Sequence, residues 1–350
     1  MSRYALLLAP SANRVYADQA ARLAQVELAA FGTVLDKEPA DIGEVALGGV
    51  PYLVFDADLG PRDLAYLSNL SAAHALFEVV GDLLRPVTMT PLARFDSDLI
   101  TIPKYAGKTN EQFTKLLLNL TLLASAAAPR MLDGHITVCD PVCGRGTTLN
   151  QALMYGYDAI GVEIDAKDVE AYEAFIKTYL RRKRLKHTAE MVPVRRGGKR
   201  VARRLEVTIA VPLPAPGPPD GAENPKKPQR AQRLTVLQAD TTDLAGVIRT
   251  PCADVLVADL PYGVAHGSHD RTGGLSRRPL ELLERAVPQW SALLRPGGAV
   301  GLSWNLKVAA RAAAEEIVRA AGLEIVPFGD LAHRVDQAIE RDVLVARKPG

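Results

Sequence analysis

Two stretches of this chain combine residue types and spacing that can do chemistry. The first is Ile136-Thr-Val-Cys-Asp-Pro-Val-Cys-Gly-Arg-Gly-Thr-Thr-Leu149. Its β-branched run, Ile136 to Val138, reads as a buried strand that Asp140 and Pro141 end. Gly144 and Gly146 let the backbone turn tightly and approach a ligand. A helix starting at Thr147 or Thr148 then presents amino-terminal amides to a bound small molecule. The second stretch, Ala253-Asp-Val-Leu-Val-Ala-Asp-Leu-Pro-Tyr-Gly263, is a hydrophobic strand that ends in Asp259, Leu260, Pro261 and Tyr262.

Charge narrows what the first stretch binds. A dinucleotide fingerprint needs a third glycine where Leu149 stands. The carboxylate of Asp140 repels a pyrophosphate but suits the ammonium of an amino-acid moiety, which S-adenosylmethionine (SAM) carries without any phosphate. Glu163, in Gly161-Val-Glu163-Ile-Asp165, closes a second strand. An acid there is placed to accept both hydroxyls of a ribose, with Asp165 as a helix cap. Asp240, followed by Thr241, closes a third strand and either accepts from an adenine amino group or serves as an ordinary cap. Pro141, Cys143 and Thr147 complete the expected cofactor set.

The second stretch suits a planar ring bearing an amine. The lone pair of such an amine is delocalised into the ring, which makes it a poor nucleophile. A carboxylate and a backbone carbonyl that accept both N–H bonds draw the nitrogen towards tetrahedral geometry. Asp259 and the carbonyl of Leu260 fit those roles, Pro261 stiffens the turn, and Tyr262 stacks on the base. The competing reading is a plain strand end with a Pro-Tyr turn. A cysteine mechanism, as in C5 methylation of pyrimidines, is disfavoured because Cys143 sits in the cofactor turn and Cys252 precedes its strand. His266 and His269 lie in a glycine-bearing loop over 264–278 without neighbouring ligands, so no metal is expected.

Positioning these groups requires alternating strands and helices from residue 136 onward, hence a parallel sheet with helices on both faces. Strands are expected over 159–163, 234–238, 299–303, 323–327 and 342–346, with helices over 166–180, 279–294 and 307–321. A further helix over 110–126, capped by Thr109 with Gln112, presents Leu116, Leu117, Leu120 and Leu123. Lys108, just before it, either belongs to a turn or faces the cofactor carboxylate or an RNA phosphate. Residues 1–95 read as a small separate α/β unit, with strands over 4–8, 52–55 and 75–80 and helices over 18–30 and 63–73. Residues 96–350 form the larger domain.

The 350 residues carry a net charge of only +2, but basic residues concentrate in an insertion over 181–232. It opens with Arg181, Arg182, Lys183 and Arg184, continues through a hairpin over 192–211 turning at Gly197-Gly198, and ends in a Pro/Gly-rich loop over 212–228. Such density suits phosphates, although a solvated arm would look the same. A helix-to-strand connection belongs at the amino end of the sheet, away from ligands, so the arm would have to wrap around an edge or grip a large RNA far from the reacting base. Three cysteines without C-x-x-C spacing fit a reducing compartment. The absence of a long apolar run fits a cytoplasmic protein without a membrane span. Oligomeric state is not legible.

Asp140-Pro-Val-Cys-Gly-Arg-Gly-Thr-Thr148, Gly161-Val-Glu163, Asp240 and Asp259-Leu-Pro-Tyr-Gly263 together resemble the class I SAM-dependent amino-methyltransferases. Within them the pattern is most similar to the THUMP-linked tRNA guanine-N2 methyltransferases, over about residues 100–350. The resemblance implies a Rossmann-like seven-stranded sheet, SAM as cofactor, and transfer to guanine N2 in structured tRNA. Asp140, Gly144, Gly146 and Glu163 would hold the cofactor, and Asp259 to Tyr262 the base. Leu260 departs from the proline common there, and no THUMP pattern matches the first 95 residues. The rival readings are a DNA N6-adenine or N4-cytosine methyltransferase and a non-catalytic RNA-binding protein on the same fold.

Overall fold

A computed structural model describes residues 1–10, 19–105, 107–212, 229–260, 268–269, 275–276 and 279–350. Pro261, Tyr262, His266, the side chain of His269 and most of the two expected loops lie outside the described residues.

The chain opens with a five-stranded antiparallel sheet. Its strands are β1 (Ser2–Leu8), β2 (Ala40–Leu47), β3 (Val50–Ala57), β4 (Ala73–Val80) and β5 (Leu83–Val87), in the order β2-β3-β1-β4-β5. Helices α1 (Ala20–Phe31) and α2 (Pro61–Leu67) belong to this unit. The helix expected over 63–73 starts earlier, with Pro61 at its first position, and stops at Ser68. Neither β2 nor β5 is legible from sequence. Both are edge strands with no fully buried residue, β2 interrupted by Gly43 and β5 by Pro86.

A short helix α3 (Asp98–Thr101) and the long α4 (Glu111–Ala124) lead into the second sheet. Its strands are β6 (Thr137–Asp140), β7 (Asp158–Glu163), β8 (His187–Arg196), β9 (Lys199–Pro212), β10 (Gln229–Gln238) and β11 (Ala253–Asp259). After a two-residue pair, β12 (Ser268–His269) with β13 (Leu275–Ser276), come β14 (Leu294–Asn305), β15 (Glu324–Val326), β16 (His333–Arg334) and β17 (Glu340–Arg347). The order is β15-β17-β14-β11-β6-β7-β10-β9-β8, with β16 on β17. Strands β14, β11, β6, β7 and β10 are mutually parallel, and β17 is antiparallel to β14.

The expected seven strands are therefore present in a Rossmann-like α/β fold. The sheet grows to ten because the basic insertion adds the antiparallel hairpin β8–β9 to one edge and β16 joins the other. Helices α4, α5 (Thr147–Tyr155) and α6 (Ala166–Arg182) cover one face through Leu117, Leu149 and Ile176 against Val138, Val255 and Val257. Helices α7 (Pro279–Leu293) and α8 (Arg311–Ala320) cover the other, through Trp290 and Val318 against Cys139, Leu256 and Ala258. Alternation along each strand separates the two cores. No helix among the described residues is long and apolar enough to cross a membrane.

The first unit shares a core with the α4 face and is pinned there by a buried polar network. The carboxylate of Glu27, fully buried on α1, accepts from the backbone N–H and hydroxyl of Ser71 and from Asn119 Nδ2 on α4 at 2.7 Å. Asn119 also donates to the Asn69 carbonyl and accepts from the Tyr155 hydroxyl. Burial pushes the Glu27 carboxyl up and the Lys115 ammonium down, each partly offset by the other's charge. A network of this kind stabilises only while every member is satisfied. Asn119→Ala removes three hydrogen bonds from buried groups that each keep one other partner, so it should cost about 3 kcal/mol in urea unfolding; a change below about 1 kcal/mol contradicts the account.

Candidate active site

Parallel strands deliver their last residues to one rim. Strand order reverses between β6 and β11, whose onward connections run to opposite sides, and open α/β sheets bind ligands in the crevice at such a point. Asp140 ends β6 and Asp259 ends β11 two residues further out, since Leu256 pairs with Cys139. Glu163 ends β7, and Asp240 follows β10, where Gln238 pairs with Glu163. Along the rim the acids therefore stand in the order Asp259, Asp140, Glu163, Asp240.

The turn after β6 packs tightly against its neighbours. Gly146 has φ of +80° and caps α5, and a Cβ there would lie 2.4 Å from the Tyr172 ring, which Asn150 holds through its hydroxyl. Gly161 packs against Leu149 and Cys143 so tightly that a Cβ would fall within 2.8 Å of both. Glu163 fastens the turn from below. Its Oε2 accepts from Gly144 N–H and its Oε1 from Asp165 N–H, both at 2.8 Å. Burial raises the Glu163 carboxyl above its ordinary value, against those two amide donors. Asp165 caps α6 through Lys167 N–H, as expected.

Asp140 is 4% exposed and accepts from Val142 N–H at 3.1 Å and from Thr148. Burial pushes its carboxyl up to about 7, Asp259 and Glu163 adding repulsion. No ion pair to Asp140 exists among the described residues. A buried acid without a cation fits a site that receives one from a ligand.

Asp259 is held on both oxygens. Ser303, on the neighbouring β14, donates to Oδ1 at 2.8 Å, and the Thr109 hydroxyl donates to Oδ2. Arg341 places a guanidinium 4.0 Å from Oδ2. That guanidinium is 4% exposed and stacks 4.1 Å from the centroid of Phe113. Beside Phe113, His333 is pushed down to about 4 by burial, with Arg341 contributing, and so stays neutral at pH 7.

Thr109 was expected to cap α4, but Asn110 does so, accepting from Gln112 and Phe113 N–H. The shift of one residue releases the Thr109 hydroxyl towards Asp259. The same segment brings the Tyr105 hydroxyl to Thr147 at 2.8 Å, with Arg145 over the Tyr105 ring. Thr109, Tyr105, Ser303 and Arg341 are site residues that sequence reasoning missed. The available signals were a serine at the end of an apolar run in β14, and two adjacent residues competing for one cap.

Other expected site residues have structural employment. Asp240 accepts from the N–H and hydroxyl of Thr242, and Thr241 accepts from Trp290 Nε1 at 2.8 Å. Leu260 is buried, its N–H donating to the Ser303 carbonyl. Pro141 and Cys143 sit in the turn after β6, Cys143 donating its N–H to the Val162 carbonyl. Lys108 is not aimed at a ligand; it donates to the Ile100 carbonyl and to Glu111. Lys183 is clamped by Asp96 and Asp98. Arg181 and Arg182 form the last turn of α6, and Arg184 follows it, so the run lies at the opposite rim from the four acids.

Burial raises all three thiols, Cys252 to about 11 and the other two well above the usual range, which leaves no thiolate nucleophile. Among the described residues no group of His, Cys, Asp and Glu could hold a metal.

No known family model and no curated protein matches this chain. Solved structures similar to it include SAM-dependent methyltransferases. A methyltransferase from Pyrococcus furiosus is 13% identical, with 73% of this chain and 93% of that one covered and a TM-score of 0.41. Magnesium protoporphyrin IX methyltransferase from Synechocystis, with bound SAM, is 13% identical, with 72% and 88% covered and a TM-score of 0.39. A TehB-like SAM-dependent methyltransferase from Corynebacterium glutamicum is 15% identical, with 63% and 85% covered and a TM-score of 0.35. At such distances the chemistry must come from the site itself.

Asp140 has a measurable signature without ligand. Its folded-state carboxyl titrates near 7 and its unfolded one near 3.8, so its contribution to stability is lost as pH rises between those values. Asp140→Asn should therefore unfold a few degrees higher than the parent protein at pH 8, with the gain vanishing below about pH 4. An equal gain at both pH values contradicts the assignment.

Proposed function

We propose that this chain transfers a methyl group from SAM to an exocyclic base amine in RNA, with guanine N2 in tRNA as the target the motif pattern favours. The observation that carries the reading is the order of the rim carboxylates, with the outermost, Asp259, braced by two hydroxyls. An amino-acid ammonium at Asp140, a ribose at Glu163 and an adenine at Asp240 fit that order. They leave Asp259 beside the group that reacts.

The residues present fit the cofactor, because Asp140 is a buried acid with no ion-pair partner among the described residues and a Cβ at Gly144 would face open space. When bound, SAM supplies a methyl group on a cationic sulfur. Asp259 accepts an N–H of the incoming amine, so the nitrogen lone pair is no longer fully conjugated with the ring. With the sulfur–methyl bond broken as the C–N bond forms, the methylated nitrogen would carry the positive charge and shed a proton, for which Asp259 would serve as acceptor. Thr109 and Ser303 fix the carboxylate plane of Asp259, which holds the amine in line for displacement. Arg341 adds a fixed positive charge 4.0 Å from Oδ2.

Mass spectrometry of nucleosides after incubation with isotopically labelled SAM and either tRNA or DNA tests the substrate. Label in N2-methylguanosine is expected; label confined to DNA, or to N6-methyladenosine, removes the RNA guanine reading. Failure to bind SAM in calorimetry would favour a vestigial fold.

Asp259→Ala should lower kcat by roughly 10²- to 10⁴-fold while SAM affinity stays within about twofold. Equal losses in both contradict its role. Binding a cation beside Asp140 lowers its pKa, so SAM binding near pH 7 should release a fraction of a proton and weaken as pH falls towards 5. Titrations in buffers of different ionisation enthalpy read that proton directly, and a buffer-independent heat argues against Asp140 as the ammonium partner.

A further inference from the structure

We infer that the β8–β9 hairpin is a phosphate clamp, gripping the substrate's backbone beside the reacting base; the inference rests on the reading of the site as an RNA base methyltransferase. The register of the insertion carries it. Gln238, the last residue of β10, pairs with Arg203, which in turn pairs with Pro193. Everything between Pro193 and Arg203 therefore overhangs the carboxyl rim. The tip at Gly197 and Gly198 stands five residues beyond Arg203, roughly 16 Å at the usual rise per residue. Both glycines have positive φ, 57° and 79°, as a two-residue hairpin turn requires.

The insertion begins at the amino rim, yet its tip stands on the same side of the sheet as Asp140 and Asp259. Residues 191–205 contain six cations and no acid. Arg203 and Arg204 are paired with Glu170 and Glu206. Arg196 braces the tip against the Ala245 carbonyl at 2.7 Å, on the loop that follows Asp240. Arg195 reaches only a carbonyl of its own turn, and Lys199 and Arg200 are exposed without an ion-pair partner among the described residues.

Distance and charge define the partner. From β11 to β9 there are four strand spacings, about 19 Å in all. The tip is thus too far to touch the reacting base and near enough for phosphates a few nucleotides away on the same strand. The rim between them is lined by carboxylates, which repel a polyanion. A cationic wall beside that rim supplies the compensating attraction, and neutralised phosphates bind in a salt-dependent way. Arg181, Arg182 and Arg184, at the opposite rim, are outside this grip.

The test uses the full-length protein with Arg195→Gln, Lys199→Gln and Arg200→Gln together, leaving the Arg196 brace intact. A control carries Arg181→Gln, Arg182→Gln and Arg184→Gln. Fluorescence anisotropy with unmodified tRNA from roughly 50 to 300 mM salt gives affinity and its salt slope. Calorimetry gives SAM affinity. The hairpin variant should bind tRNA at least tenfold more weakly near physiological salt, with the log–log slope shallower by about two to three. Its SAM affinity should be unchanged, and the control should match the parent protein. If the parent binds tRNA and the hairpin variant equals it in affinity and slope, the clamp is wrong while the methyltransferase reading stands. If the parent binds SAM but no tRNA, the RNA reading fails and the clamp with it.

Discussion

A parallel strand can hand its last side chain to only one rim of its sheet, and that constraint organises this molecule. Four strands that differ widely in sequence position end in, or run directly into, Asp259, Asp140, Glu163 and Asp240. Burying acids side by side in this way is electrostatically unfavourable: loss of solvent first, and repulsion from Asp259 and Glu163 after it, raise the Asp140 carboxyl. The fold offsets part of it with backbone donors: Val142 to Asp140, Gly144 and Asp165 to Glu163. The same donors shape the glycine turn, so electrostatic relief and ligand-site geometry come from one set of hydrogen bonds.

Asp259 depends on a different kind of support. Its two hydroxyl partners come from opposite directions, Ser303 from the adjacent strand and Thr109 from the segment leading into α4. The latter contact exists because Asn110, a better N-cap residue than threonine, caps the helix in place of Thr109. A local choice between neighbouring residues thus decides whether the carboxylate is held on one side or two. Since α4 also carries Asn119, the network with Glu27 ties the first unit to the helix that presents Thr109.

The parts of the fold read easily from sequence are those whose signals are local. Strand β6 with its glycine turn, β7 ending in Glu163, and β11 ending in Asp259 announce themselves by β-branched runs, glycines and a proline. The hairpin over 192–211 rested on Gly197-Gly198 alone, and its strands extend further than their patterning suggests, to His187 and Pro212. Edge strands β2 and β5 were not legible, because burial on neither face imposes an alternating pattern. The basic run at residues 181–184 was legible as charge but not as position. Two of its members complete a helix, and Lys183 is spent on Asp96 and Asp98.

By itself the sequence determined which residue closes each central strand and where the backbone must bend, since strand ends and glycine turns are set by neighbours a few positions away. Tertiary structure alone decided that Thr109, Ser303 and Arg341 converge on Asp259, and that the tip of the basic hairpin rises beside the rim acids rather than behind them. Those placements follow from strand order and pairing register between segments as much as 232 residues apart, as for Thr109 and Arg341. A register slip of one residue would reverse every side chain of a strand, and no local pattern encodes which register the assembled sheet adopts.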